Sequence, residues 1–204
     1  IWLITAVILA AGMSTRMSKV KQTLVLGSKP ILQHVIDNIK NSMIDNIILV
    51  LGYKYNEILE KLDVSGINVK INPSYENGLS SSLKVGIKNI SKDCTTFLIF
   101  LGDQPLFNNN LINKLISSHT NHKSKITAPI CDNIQRNPIV FDFSIRNELL
   151  NIRGDKGAKQ ILTKHAILKV KINVPEAFLD VDIDSDMVNI SRFIKWIFIN
   201  YYLK

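Results

Sequence analysis

Apolar runs of strand length alternate with segments of helical periodicity through the first half of this 204-residue chain. Continuous apolarity, most evident at 7–9, 47–52 and 97–102, is typical of strands that are buried on both faces of a parallel sheet. The runs lie at 7–9, 47–52, 69–71 and 97–102. This alternation predicts a single-domain α/β fold with a doubly wound, mainly parallel sheet of Rossmann-like type.

Segments between these runs predict helices at 30–41, 55–62 and 78–90, where apolar residues recur every three or four positions. Pro30 suits the first position of the first helix, because its fixed φ fits there and its missing N–H is not needed. The third helix is expected to bury one face, which consists of Leu79, Leu83, Ile87 and Ile90.

The pattern changes after Asp103, because the apolar segments 125–130 and 137–142 follow one another without a long helix between them. With the segments 167–172 and 178–184 they predict a small mixed β elaboration at one edge of the sheet. Residues 1–204 then form one domain, in which 187–204 is a docked C-terminal helix. Its apolar residues at helical spacing are Met187, Ile190, Ile194, Ile197 and Tyr201.

Charge and composition limit the partners to be expected. The net charge of +8 favours anionic partners such as nucleotides and phosphorylated metabolites. Lysines are spread along the chain without interleaved aromatic residues, so nucleic acid is not expected as a partner. The apolar segment 1–12 lacks a basic region and is too short to cross a bilayer, which indicates a buried strand and no membrane contact. Cys94 and Cys131 have no CxxC spacing, which fits a cytoplasmic protein without zinc or disulfides.

The segment 9–21, LAAGMSTRMSKVK, follows the first predicted strand, at the sheet edge where ligands bind in doubly wound folds. Gly12 permits close approach of the backbone to a ligand, and Arg16 and Lys21 offer a planar fork and a point charge for phosphates. The same residues also suit a polar turn that ends a strand. Neither the GxxxxGK[ST] nor the GxGxxG phosphate-binding pattern is present.

Carboxylates occur at two further points near predicted strand ends. Asp103 in LGDQP follows the fourth run, where a carboxylate suits magnesium beside substrate phosphates or, equally, a turn. The segment LDVDID places Asp180, Asp182 and Asp184 on one face of an expected strand. These three carboxylates suit either metal contact or a solvated face.

Three serines, Ser80, Ser81 and Ser82, begin the third predicted helix after Gly78. Hydroxyls and free N–H groups at a helix start suit the ribose, base edge or phosphate of a nucleotide, and ordinary capping accounts for one serine at most. The histidines show no HExxH spacing and no serine lies in a GxSxG pattern, so zinc and hydrolytic chemistry are not predicted.

Taken in order, these motifs resemble the molybdenum cofactor cytidylyltransferase branch of the MobA-like nucleotidyltransferases. That branch has LAAGxSxRMGxxK, NPxxxxGLSSSL, L-A/G-DQP, G-N/H-PVLF, GDKGAR and DIDTPED. This chain has LAAGMSTRMSKVK, NPSYENGLSSSL, LGDQP, RNPIVF, RGDKGAKQIL and DVDIDSD across residues 4–187. It departs at Ser18, where glycine is usual, at Val20, where proline is frequent, and at Asp186, where proline is usual.

The resemblance implies Mg²⁺-dependent transfer of CMP from CTP to the terminal phosphate of molybdopterin, with release of pyrophosphate. It implies catalytic roles for Lys21, Arg16 and Asp103, and magnesium ligation by Asp103 together with Asp182 or Asp184. The implied nucleotide-binding residues are Leu9, Ala10, Ala11, Gly12, Ser14, Arg16, Lys21, Gly78, Ser80, Ser81, Ser82 and Asp103. The implied acceptor-binding residues are Gln104, Asn137, Pro138, Gly154, Asp155, Lys156 and Gly157.

Two alternatives remain beside this interpretation. A related NTP transferase on the same fold would use another nucleotide or acceptor, as in guanylyl transfer or transfer to a sugar or polyol phosphate. A non-catalytic protein would bind the cofactor and deliver it to a molybdenum enzyme, which is also the expected partner of a cytidylyltransferase.

Overall fold

The structure is a computed structural model that describes residues 3–13, 20–152, 159–181, 186 and 190. The strands are β1 (Ile4–Ala10), β2 (Val25–Leu26), β3 (Lys29–Pro30), β4 (Asn46–Leu51), β5 (Asn68–Ile71), β6 (Thr96–Leu101), β7 (Ile126–Cys131), β8 (Ile134–Gln135), β9 (Ile139–Asp142) and β10 (Leu168–Lys171). The helices are α1 (Ile31–Lys40), α2 (Tyr55–Leu59), α3 (Leu79–Lys88), α4 (Asn109–His122), α5 (Arg146–Leu150) and α6 (Lys159–Leu162).

A mainly parallel sheet runs through the described part of the chain in the order β10-β7-β9-β6-β1-β4-β5, and β8 pairs with β7. Strand β1 is parallel to both of its neighbours, β4 and β6. Strand β9 runs antiparallel to β6 and β7. The chain builds outward from β1 to β4 and β5 and then returns to β6 on the other side of β1. The strand order therefore reverses between β1 and β6, where a crevice for ligands opens in such sheets.

Two apolar layers cover the two faces of the sheet. Side chains of β1 alternate between them, because successive residues of a strand point to opposite faces. Ala6 and Ile8 pack in the layer that holds α1, α2 and α4. Val7 and Leu9 pack in the layer that holds α3, α5 and α6. Burial on both faces explains the continuous apolarity of the strand sequences and confirms the predicted α/β class.

The mixed β elaboration predicted after Asp103 is also confirmed, since β7, β8, β9 and β10 extend the sheet beyond β6. The sequence did not predict α4, a 14-residue helix between β6 and β7, nor the shorter elements α5, β2, β3 and β8. The expected strand at 178–184 is wrong over Leu179–Val181, which follow a 3₁₀ turn and are not in a strand. Pro30 lies at the cap position before α1 rather than inside the helix.

Leu79 departs from the face that the sequence predicted for α3. Leu83, Ile87 and Ile90 are buried, whereas Leu79 is 46% exposed. As the first residue of the helix, it lies beyond the edge of the sheet that covers the other three. The helix expected at 187–204 lies outside the described residues, apart from Ile190, which is buried in a cluster with Leu26. No helix in the described part of the chain is long and apolar enough to cross a membrane.

Candidate active site

A cavity of about 430 Å³ opens at the carboxyl ends of β1 and β6, at the reversal of strand order. The ends of these strands form its floor, and the start of α3 forms one wall. Its lining residues are Leu9, Ala10, Ala11, Gly12, Lys21, Gln22, Tyr75, Gly78, Leu79, Ser82, Leu101, Gly102 and Asp103. This volume lies in the range of small-ligand sites, which are commonly about 300 to 1,000 Å³.

An ion pair inside this cavity joins the turn at Lys21–Thr23, which follows the loop after β1, to the end of β6. Lys21 Nζ donates to Asp103 Oδ2 over 2.7 Å. Both side chains are largely shielded, with exposures of 14% for Lys21 and 23% for Asp103. The second carboxylate oxygen, Asp103 Oδ1, is buried and has no hydrogen-bond partner among the described residues. A buried carboxylate oxygen without a donor is costly, so this atom is suited to accept a cation or a ligand proton.

The loop that follows β1 is held at both ends by the amide of Gln22. Gln22 Nε2 donates to the carbonyl oxygens of Ala10, over 3.0 Å, and Gly12, over 3.3 Å. Gln22 is buried and belongs to a 3₁₀ turn at Lys21–Thr23. The amide therefore fixes the backbone where the loop begins against the turn that carries Lys21.

Gly12 differs from Gly52, a glycine beside the cavity in the loop after β4. A Cβ atom on Gly12 would meet no atom of the described residues within 4 Å, so the packing of these residues does not require glycine there. A Cβ atom on Gly52 would lie 2.6 Å from Tyr75 Cβ and 2.9 Å from the carbonyl oxygen of Ala11. The open space beside Gly12 is the cavity itself, so a ligand can approach the backbone closely at this point.

The serines at the start of α3 point in different directions, because residues one or two apart on a helix do not share a face. Ser82 lines the cavity. Ser81 Oγ lies within hydrogen-bond distance of the carbonyl oxygens of Gly78 and Ser74 and donates its one hydrogen to either of them. Ser80 is buried outside the cavity lining. Gly78 itself lines the cavity and has a φ of +82° and a ψ of −176°, a conformation that is nearly exclusive to glycine.

Two hydrogen bonds connect the end of β6 to the segment that leads toward residue 182. Gln104 Nε2 donates to Asp180 Oδ1 over 2.7 Å, and Val181 N donates to the carbonyl oxygen of Asp103 over 3.2 Å. Gln104 is buried and is outside the cavity lining. The bonds bring the chain immediately before Asp182 beside Asp103.

Asn137 and Pro138 precede β9 and do not line the cavity. The antiparallel register pairs Ile139 with Ile99, so the residues before β9 lie beside the last residues of β6. They are therefore at the same edge of the sheet as Asp103.

The structure thus brings together eight of the residues implied as nucleotide-binding along the cavity: Leu9, Ala10, Ala11, Gly12, Lys21, Gly78, Ser82 and Asp103. Other implied residues lie outside the described part of the chain: Ser14, Arg16, Gly154, Asp155, Lys156, Gly157, Asp182 and Asp184. Within the described residues, no cluster of three or more His, Cys, Asp or Glu side chains is arranged to hold a metal ion.

Sequence reasoning gave no individual role to Gln22, Asn72 or Tyr75. Gln22 and Tyr75 line the cavity, and Asn72 is buried behind the serines of α3. Asn72 stands at the head of the NPSYENGLSSSL segment, so its place in that motif was the available signal. Gln22 is adjacent to Lys21, but its hydrogen bonds are to backbone carbonyl groups, which any residue provides, so no sequence motif indicates them.

Comparison with known proteins decides the family. Residues 6–170 match the sequence pattern of the MobA-like NTP transferase domain. The chain belongs to this family of nucleotidyltransferases. Among curated relatives, the bifunctional protein GlmU of Staphylococcus saprophyticus is 29% identical over 126 residues, which are 60% of this chain and 27% of GlmU. The chain thus spans about a quarter of the length of that relative.

Solved structures share the fold closely. The homologue of Mycobacterium tuberculosis Rv0371c from Mycobacterium sp. strain JC1 superposes with a TM-score of 0.85 at 24% identity, covering 95% of this chain and 98% of that one. Rv0371c of Mycobacterium tuberculosis in complex with manganese gives a TM-score of 0.80 at 24% identity, covering 93% of this chain and 98% of that one. At this identity the likeness establishes the fold.

Proposed function

We propose that the protein is a magnesium-dependent cytidylyltransferase that transfers CMP from CTP to the terminal phosphate of molybdopterin and releases pyrophosphate. The observation that carries this proposal is the Lys21–Asp103 pair in the cavity between β1 and β6, with Asp103 Oδ1 buried and without a hydrogen-bond partner in the described part of the chain. In a member of the MobA-like NTP transferase domain family, an ammonium group beside a carboxylate supports binding of phosphate by Lys21 and of a metal ion by Asp103.

The transfer needs positioning and charge neutralisation rather than a general base. An oxygen of the acceptor phosphate forms a bond to the α-phosphorus of CTP, and the bond from that phosphorus to the bridging oxygen breaks. The electron pair leaves with pyrophosphate, and no proton has to be removed from the nucleophile, because the acceptor phosphate is already ionised. Lys21 is in place to neutralise charge on the phosphates, and the open backbone at Gly12 suits their close approach.

The residues present fit a divalent cation at Asp103. Its buried oxygen Oδ1 has no partner within the ranges that the structure describes, and a carboxylate oxygen is the kind of hard ligand that magnesium prefers. We propose Asp103 as one ligand, with Asp182 or Asp184 as a second, since the hydrogen bond from Val181 N to Asp103 leads the chain toward them. The manganese complex of Rv0371c supports a divalent cation on this fold. Such a cation neutralises charge on the triphosphate when bound.

The nucleotide and acceptor are assigned from the motifs. The LAAG loop and GLSSSL segment favour CTP, and Ser82 at the cavity wall is available to the nucleoside. Asn137 and Pro138, at the same sheet edge as Asp103, and the segment 154–157 are proposed for the acceptor side. Gln104 contributes on that side through its hydrogen bond to Asp180. A molybdenum enzyme is the proposed recipient of the product.

Release of pyrophosphate tests the proposal. The protein is incubated with magnesium, molybdopterin and each of the four ribonucleoside triphosphates in turn. We expect release with CTP that requires both magnesium and acceptor. Release only with GTP would favour guanylyl transfer, and tight nucleotide binding without release would favour a cofactor-binding protein without catalytic activity.

A carboxamide at position 103 tests the site within the same assay. Asp103→Asn keeps the shape of the side chain but removes its charge, and we expect turnover to fall by about 100-fold or more. Asp93→Asn makes the same change at an exposed loop position and should leave turnover unchanged. Equal turnover of both variants would remove Asp103 from the proposed site.

A further inference from the structure

Asn72 is a buried asparagine that lies directly after β5 and behind the start of α3. It is 2% exposed, and its backbone N–H donates to the carbonyl oxygen of Leu51 over 2.7 Å. Its side-chain oxygen Oδ1 accepts from the backbone N–H of Ser74 over 3.0 Å. A backbone N–H can only donate, so the atom that faces it must be the amide oxygen. The amide NH₂ group therefore faces the other way, toward α3.

Both hydrogens of that NH₂ group are used by serine hydroxyls of α3. Asn72 Nδ2 donates to Ser81 Oγ over 2.8 Å and to Ser82 Oγ over 3.0 Å. An NH₂ group has two hydrogens and no lone pair that accepts, so each serine oxygen acts as the acceptor. The hydrogen of each serine hydroxyl must therefore be donated elsewhere.

Ser81 and Ser82 differ in where that hydrogen can go. Ser81 Oγ donates to the carbonyl oxygen of Gly78 over 2.8 Å or to that of Ser74 over 3.0 Å. A helical serine commonly donates to the carbonyl four residues earlier, which for Ser82 is Gly78. That carbonyl already accepts from Ser81 Oγ and from Ser81 N, over 2.8 and 3.2 Å.

Among the described residues no acceptor takes the hydrogen of Ser82, and Ser82 is one of the residues that line the cavity. The one direction left for this donor is the cavity. Because the oxygen is held by Asn72, the hydroxyl presents a hydrogen to a ligand rather than a lone pair.

We propose that Asn72 is a positioning residue that fixes the hydroxyl of Ser82 as a hydrogen-bond donor to an acceptor atom of the bound nucleoside, on the base or on the ribose. The inference rests on the proposed function, since it takes the ligand of this cavity to be a nucleotide. A fixed donor at Ser82 makes the cavity selective. A nucleotide with a hydrogen-bond acceptor opposite Ser82 is favoured, and one with a donor there is disfavoured because two hydrogens would face each other.

Reversal of the hydrogen bond tests the role of Asn72. Asn72→Asp keeps the shape and still accepts from Ser74 N, but an ionised carboxylate has no hydrogen and takes the one from Ser82. We expect CTP to bind about tenfold more weakly in titration calorimetry, the effect of one lost hydrogen bond. Ser82→Ala should weaken binding to a similar extent. The double variant should bind no more weakly than either single variant, because both remove the same donor.

A matched control is available on the same helix. Asn89→Asp makes the same substitution at the exposed C-terminal end of α3, and CTP affinity should not change. Thermal unfolding of each variant reports whether it is folded. If Asn72→Asp does not fold, Asn72→Ala replaces it, because loss of the NH₂ group frees Ser82 to rotate and weakens binding in the same direction.

Two CTP analogues distinguish the base from the ribose as the acceptor. 2-Thio-CTP carries sulfur, a weak acceptor, in place of the base carbonyl oxygen, and 2′-deoxy-CTP lacks the 2′ oxygen. One of them should bind the native protein about tenfold more weakly than CTP, and that difference should vanish in Ser82→Ala. A native protein that binds no nucleotide overturns the proposed function and with it this inference. Nucleotide binding that Asn72→Asp or its replacement leaves unchanged, or additive losses in the double variant, overturns this inference alone.

Discussion

Lys21 Nζ lies 2.7 Å from Asp103 Oδ2, although 82 residues separate them in the sequence. The pair joins the turn after the first loop to the end of β6 and leaves little net charge at the floor of the cavity. A nucleotide that arrives with its cation offers each side chain a new partner, the phosphates for Lys21 and the cation for Asp103. Binding therefore replaces the Lys21–Asp103 ion pair with two new ones, Lys21 with phosphate and Asp103 with the cation. Each buried charge keeps a partner of opposite sign.

Removal of Lys21 should have opposite effects on metal binding and on turnover. In Lys21→Met the ammonium group no longer competes for Asp103 Oδ2, so we expect Mn²⁺ to bind the nucleotide-free protein at least about tenfold more tightly. Turnover should fall, because the phosphates lose a cation. Electron paramagnetic resonance of free Mn²⁺ and the pyrophosphate assay measure the two effects. Lys29→Met, which breaks an ion pair with Asp37 outside the cavity lining, should leave both unchanged.

Substitution of alanine for Gly12 and for Gly52 should separate an effect on nucleotide binding from an effect on packing. Gly12→Ala adds a methyl group where no described residue has an atom within 4 Å, so the free energy of unfolding should change by less than about 0.5 kcal/mol. Nucleotide affinity should nevertheless fall about tenfold, because the methyl group enters the cavity. Gly52→Ala meets Tyr75 and Ala11 at under 3 Å and should cost about 1–3 kcal/mol of unfolding free energy. Urea unfolding and calorimetry measure both, and unchanged affinity in Gly12→Ala would contradict the placement of the phosphates.

Much of the fold could be predicted because burial on both faces leaves strands continuously apolar. Helix α4 was missed although Ile112, Leu115, Ile116 and His119 recur at helical spacing on its buried side. Its remaining positions are rich in asparagine, serine and threonine, which favour helices weakly, so the segment resembled a loop. The segment 178–184 alternates polar and apolar residues like a strand, but in the described part Asp180 lies outside any strand, and its carboxylate accepts from Gln104.

The location of the site could be predicted better than its internal contacts. The rule that ligands bind beyond strand ends selected the loop at Gly12 and the position of Asp103. The pairing of Asp103 with Lys21 could not be predicted, because it depends on the sheet order that brings β1 beside β6. The hydrogen bonds of Gln22 and Asn72 also depend on how the loops fold in three dimensions. No periodic pattern in the sequence predicts them.

Replacement of Gln22 should weaken nucleotide binding more than its effect on stability alone would explain. Gln22→Met keeps the length of the side chain but removes the donor to Ala10 and Gly12. We therefore expect the free energy of unfolding to fall by about 1–3 kcal/mol and nucleotide binding to weaken. Gln33→Met is the matched control, since Gln33 is also buried and makes two side-chain hydrogen bonds, to Asp37 and to the backbone of Asp63. It should lose similar stability but keep nucleotide affinity. Equal affinities in the two variants would contradict a positioning role for Gln22.

Acidification should destabilise the protein through His119. Burial lowers the pKa of this imidazole below its ordinary value of 6.5, and Asp142 offsets the effect in part. The unfolded chain then binds a proton more readily, so the free energy of unfolding decreases as the pH falls below about 6.5 toward the folded-state pKa. Urea midpoints at pH 7.5 and 5.5 should differ less in His119→Gln than in the native protein. His122→Gln, at an exposed position of the same helix, should retain the native difference; an identical difference in all three proteins would contradict the assignment.

Transfer of label from CTP to the acceptor is the most direct test of the central claim. The protein is incubated with magnesium, molybdopterin and CTP labelled at the α-phosphate, and the products are separated by chromatography. We expect the label in a molybdopterin–CMP conjugate, formed only with acceptor present and reduced by about 100-fold or more in Asp103→Asn. Label that stays in CTP, or that appears as free CMP whether or not acceptor is added, would contradict the account.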